Sequence, residues 1–138
     1  MIGRKLRAVS PNQVGLQSLF AYSYLMLKQY DSVLFVTDQS SVVEKALFGS
    51  IISAITGDRK TSDEKIEVIK RNATGYPFNY NLALIYCCRK ENDLAVDYME
   101  KSYAAQEVDL SHYIKAEPLL DPIRNHPRFI AILKKFDL

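Results

Sequence analysis

The feature that most constrains this chain is its punctuation. Capping and turn signals recur at short intervals: Ser10-Pro11, Lys28-Gln29-Tyr30-Asp31, Ser41, Gly57, Thr61, Gly75 with Pro77, and Glu91-Asn92-Asp93. Between them apolar residues return every three or four positions, the period of a helix that buries one side. Val14, Leu16, Leu19, Phe20, Tyr24 and Leu27 form one such stripe; Phe129, Ile132, Leu133 and Phe136 form another. Segments of about 10 to 18 residues with tight connections fold as antiparallel neighbours. The expected class is therefore all-α.

The boundaries follow from local chemistry. Ser10 with Gln13, Ser41 with Glu44 and Thr61 with Glu64 have the spacing of capping boxes, and Pro11 suits a first helical position. Gly57 can take the positive φ that ends a helix, so one helix is expected over 42–56. Further helices are expected over 77–90, 94–106 and 127–136. Val33-Leu34-Phe35-Val36-Thr37 fits a strand equally well, but both neighbours are helical and no partner strand is evident. Pro118, Pro122 and Pro127 limit the end of the chain to short pieces over 110–116 and 119–124, then the last helix.

Composition narrows the function. The 138 residues, 48% hydrophobic and 25% charged, suit one domain with a real core. A net charge of +2, with acids and bases interleaved, gives no footprint for nucleic acid. Arg4, Lys5 and Arg7 make residues 1–10 a basic tail, read as a solvated terminus, with the domain over 11–138. No apolar run follows that tail as a secretory signal requires, and Ala46–Ile55 is too short to span a bilayer. Adjacent Cys87 and Cys88 offer no disulfide framework, so a reducing, cytoplasmic setting without membrane contact is expected.

Chemistry-bearing groups are sparse. His112 and His126 have no companion ligand, and the five glycines are scattered singly, without a phosphate-cradling loop. Asp93 and Asp97 precede Lys101 on one helical face, a spacing for ion pairing. Ser10, Ser41 and Ser111 lack a neighbouring base and are read as caps. The expectation is no enzyme, no metal and no cofactor.

A repeat lies within this pattern. Asn79, Leu82, Ala83 and Tyr86, followed by Ala95 and Met99, place small residues where two helices cross and large ones beside them. This run resembles the tetratricopeptide family, departing from it with Asn79 for the usual Trp, Lys90 for Gly and Ser102 for Ala. Phe20, Ala21 and Tyr24 mirror Leu82, Ala83 and Tyr86, with Val33 in the second small-residue place. Phe48-Gly49-Ser50-Ile51 and Gly57-Asp58 suggest a middle unit, its second helix displaced by extra residues near Arg59-Lys60-Thr61. The stretch from Ile114 to Phe129, with Leu119-Leu120-Asp121-Pro122-Ile123-Arg124 and Pro127-Arg128-Phe129, is similar to the ending of tetratricopeptide regions in bacterial multidomain regulatory proteins.

The resemblance implies a right-handed superhelix of antiparallel helix pairs, about three degenerate repeats plus a capping helical unit. It implies a scaffold or regulatory module within a larger protein, binding a peptide or helix in an apolar concave groove. By the family's geometry, Tyr22 and Met26 of the first unit face that groove, with Ile51 of the second. Tyr80, Asn81, Leu84 and Cys88 of the third join them. Asn81 stands where carboxylate-gripping members carry Asn, but the first unit has Leu19 at the equivalent place, so an apolar ligand is expected. The alternative is a self-association domain that dimerises without a separate groove.

Overall fold

The computed structural model describes residues 14–72, 78–107, 114 and 116–136. Every regular element among them is helical. These are α1 (Val14–Met26), α2 (Tyr30–Thr37), α3 (Val42–Thr56), α4 (Arg59–Asn72), α5 (Phe78–Cys88), α6 (Asn92–Ala105), a 3-10 helix (Pro118–Ile123) and α7 (Pro127–Lys135). The all-α expectation holds, and the segment that fitted a strand equally well is helix α2. The expected Ser10 cap, the basic tail, the Gly75–Pro77 break, Ser111 and His112 lie outside the described residues, as does most of the 110–116 piece.

The three tight turns share one construction. Lys28, Gly57 and Lys90 take positive φ, at 59°, 87° and 61°. At each, the next N–H reaches back to a carbonyl in the preceding helix: Gln29 to Tyr24 at 2.9 Å, Asp58 to Ser53 at 2.8 Å, Glu91 to Tyr86 at 3.0 Å. This is the six-to-one bond that closes a helix through a left-handed residue. The carbonyls of Gln29, Asp58 and Glu91 then accept the first bond of the following helix, from Val33, Ser62 and Ala95 at 3.0–3.1 Å. Two lysines thus do what glycine does in the middle turn.

That geometry corrects the boundary of α4. It begins at Arg59, and its cap is Asp58, whose Oδ1 accepts from the Thr61 N–H at 3.1 Å. The Thr61–Glu64 box is therefore not the cap, and residues 59–61 are the first helical turn rather than an insertion. Gly57 turns the chain so that Asp58 falls in the capping position, leaving Thr61 inside the helix. Its bonds to Thr61, through side chain and backbone, hold the Asp58 carboxyl below the usual range. The Ser41 cap is present, with Glu44 N–H to Ser41 Oγ at 3.2 Å. The Glu44 carboxylate bonds the Ser40 side chain just before the cap, and its Oε1 accepts from the Ser18 hydroxyl of α1.

Helix pairs follow from these turns. α1 packs mainly on α2, α3 on α4 and α5 on α6. The first helix of each pair also touches the first of the next, α1 to α3 and α3 to α5. Small residues make close crossing possible. Ala21 and Val33, Ser50 and Ser62, and Ala83 and Ala95 are all fully buried, at the same spacing about each left-handed turn. In the middle pair the two hydroxyls meet at 2.9 Å, and Ser50 Oγ also donates to the Ser62 carbonyl at 3.0 Å, so neither is left unpaired in the core.

The deepest core lies around α5. Tyr80 through Cys87 are all buried, because α3, α4, α6 and the 3-10 helix surround it. A helix apolar on every side belongs in such a place. Glu107, just beyond α6, fastens its start: the carboxylate accepts from the Asn79 and Tyr80 N–H groups at 3.0 and 3.1 Å and from Asn79 Nδ2 at 2.6 Å. The chain then closes with Leu120, Ile123, Phe129 and Ile132 against α5 and α6.

Candidate interaction surface

The residues expected to line a groove divide sharply. Ile51, Tyr80, Asn81 and Leu84 are buried in the chain's own core. Tyr22 and Cys88 are half-buried, and Met26 is 39% exposed. Part of the cover over α5 is the C-terminal segment, which packs on α5 and α6. Glu117, at the head of the 3-10 helix, accepts the hydroxyl proton of Tyr22 from α1 and the Leu119 N–H at 3.0 Å. Arg124 gathers the same segment by donating to the carbonyls of Ile114 at 3.0 Å and Glu117 at 2.7 Å. Burial, then the Glu117 bond, pushes the Tyr22 hydroxyl well above its ordinary pKa. The face that joins Tyr22 to α5 is thus occupied by the chain itself.

Exposed apolar side chains collect elsewhere. Of the eight large ones on the described surface, five, Leu19, Met26, Leu27, Leu34 and Phe35, belong to α1, α2 and their turn, while Val42, Ile55 and Ile130 lie on α3 and α7. Phe35 is 74% exposed, Leu27 65% and Leu19 59%. Val33, Val36 and Thr37 are the buried side of α2, so Leu34 and Phe35 point away from the core. Single exposed apolar residues are ordinary on a protein surface; a concentration on one element pair is less so. The hydropathy pattern held this signal, since α2 carries apolar residues on both its sides.

The charged groups hold elements together. Arg89, whose side chain is only 6% exposed, is paired with Asp63 of α4 and with Glu91 at 2.7 Å, and its guanidinium lies 5.4 Å from the Tyr86 ring centre. Tyr86 stacks on Tyr98, and Lys101 sits 4.7 Å over the Tyr98 ring. Asp93 and Asp97 do not pair along α6 with Lys101, as their spacing suggests. Asp93 meets His126 Nε2 at 2.9 Å, and Asp97 joins Glu100 on Arg128. Groups at the start of α7, the Arg128 guanidinium and the His126 ring, hold these carboxylates in place of a flexible lysine on the same helix. His126 is moreover the cap of α7, its Nδ1 accepting from the Arg128 N–H at 3.2 Å.

Among the described residues no three His, Cys, Asp or Glu side chains gather as metal ligands. Burial pushes the Cys87 and Cys88 thiols up to about 12, so little of either is thiolate at neutral pH and both react slowly. No helix among the described residues is long and apolar enough to cross a membrane. Compared with known proteins, the chain matches no family model, no curated protein and no solved structure.

Proposed function

We propose that this chain is a tetratricopeptide-like module for protein–protein interaction, built as a right-handed superhelix of helix pairs and used as a scaffold rather than an enzyme. The repeated turn at Lys28, Gly57 and Lys90 supports the architecture, together with the buried small residues set at the same spacing around each. The observation that carries the function is the exposed apolar set on the first pair, above all Leu34 and Phe35. A helix or extended segment with apolar anchors is the partner such a surface suits. Met26 belongs to this surface. Tyr22, Ile51, Tyr80, Asn81, Leu84 and Cys88 would line a groove only where the C-terminal segment gives way.

The test is selection from a displayed random-peptide library against the native chain, with the Phe35→Glu variant as counter-screen. The reading expects a family of sequences with shared apolar anchors that the variant fails to hold. Sequences held equally by both proteins would place the contact elsewhere. The same exposed residues favour a second reading, in which the first pair meets another copy of this chain. Sedimentation velocity across micromolar concentrations separates the two: a concentration-dependent dimer lost in Phe35→Glu supports self-association, and a monomer throughout rejects it.

A further inference from the structure

The hydrogen bond from Tyr22 to Glu117 joins residues at opposite ends of the described chain. It ties α1 to the head of the 3-10 segment across the face to which α5 contributes Tyr80 and Cys88. Electrostatics agree with this placement: Tyr80, Glu117 and Asp121 act on Tyr22, and the Glu117 charge acts on both the Cys87 and the Cys88 thiol, so the two differ in exposure rather than in charge. The rest of the segment is anchored differently. Leu120 and Ile123 are fully buried and the 3-10 helix packs on α5 and α6, so its far side belongs to the core.

We infer that the Tyr22–Glu117 bond is a latch, by which the C-terminal segment occupies the inner face of the helix pairs as an intramolecular ligand. A protein segment that uses this face must first displace the Glu117 carboxylate from Tyr22. Glu117 also caps its own 3-10 helix through the Leu119 N–H, so the segment keeps its shape when the latch opens. Opening frees the edge at Tyr22 and Cys88 and leaves the anchor at Leu120 and Ile123 in place. That this face is the inner one rests on the superhelical reading proposed above; the latch itself needs no partner.

The two cysteines provide the readout. Both thiols feel the Glu117 charge, but Cys87 is buried in the core, whereas Cys88 is half-buried and the one nearer solvent. In the full chain, maleimide labelling at fixed pH, followed by mass spectrometry of the modified peptides, reports each thiol separately. Tyr22→Phe removes the donor without changing charge. Glu117→Asp keeps the charge and the cap but is too short to hold the Tyr22 hydroxyl. Loss of one hydrogen bond to a carboxylate predicts labelling of Cys88 about tenfold faster in either variant, with Cys87 unchanged. Unchanged Cys88 labelling in both folded variants overturns the latch. Equal acceleration of Cys87 and Cys88 also overturns it, since the bond would then stabilise the whole fold rather than one face. Neither result bears on the exposed surface of α2, so failure here is distinct from failure of the proposed function.

Discussion

Lys28 and Lys90 hold backbone angles that favour glycine, and Gly57 shows the same turn made with the favoured residue. A side chain in left-handed backbone costs roughly 1 kcal/mol or more. The three positions therefore respond with opposite signs. Gly57→Ala is expected to destabilise by about 1 kcal/mol, through the backbone alone, because an added Cβ meets nothing within 4 Å. Lys90→Gly is expected to gain a few tenths to about 1 kcal/mol, with greater chain entropy in the unfolded state offsetting part of the relief. Urea midpoints for the two variants check both signs.

Two acids act at the same scale. Glu107 satisfies the open N–H groups at the start of α5, so Glu107→Ala should cost about 1–2 kcal/mol by chemical denaturation. Glu44 behaves oppositely. Burial raises its carboxyl above the ordinary 4.5, so ionisation is harder in the folded chain than in the unfolded one. That penalty is full above the raised folded value and vanishes below the unfolded one. Glu44→Gln should thus be favoured over the native residue at pH 7, with the advantage shrinking as the pH falls through about 4.5. Thermal unfolding at pH 7 and pH 4 would show the loss of that advantage, and an advantage that grows on acidification would contradict it.

At the scale of elements, close crossing depends on Ser50 and Ser62. Ser50→Leu forces a large side chain where two backbones meet and should cost about 3 kcal/mol, while Ser62→Ala should cost about 1 kcal/mol. The comparison explains what could be read beforehand. α3 was legible to the residue, because Ser41 and Gly57 are unambiguous at its ends. α4 was not, because Asp58 and Thr61 are both good caps and only the turn at Gly57 chooses between them. The middle pair was legible in principle: counting Ser50 and Ser62 as small residues restores the spacing of Ala21 with Val33 and Ala83 with Ala95, with no insertion between.

At the scale of the whole molecule, the short connections and helical periods anticipated an all-helical chain, but not how its end folds back. Burial of Ile51, Tyr80, Asn81 and Leu84 depends on contacts between distant segments, which periodicity within one helix does not report. The unbroken run from Tyr80 to Cys87 was the available sign, since a groove-lining helix keeps one side open. Phe35 presents the converse case. It stabilises nothing that the fold needs, so Phe35→Glu should leave stability within about 0.5 kcal/mol of the native chain. That makes it a clean probe of recognition.

The central claim is that the first helix pair is a surface for meeting other protein segments. A fluorescence-anisotropy titration of the strongest library-selected peptide, against the native chain and folded Phe35→Glu, tests it most directly. The account predicts that affinity falls at least about tenfold in the variant, in the range that loss of an aromatic anchor produces. Equal affinity for the two proteins would contradict it.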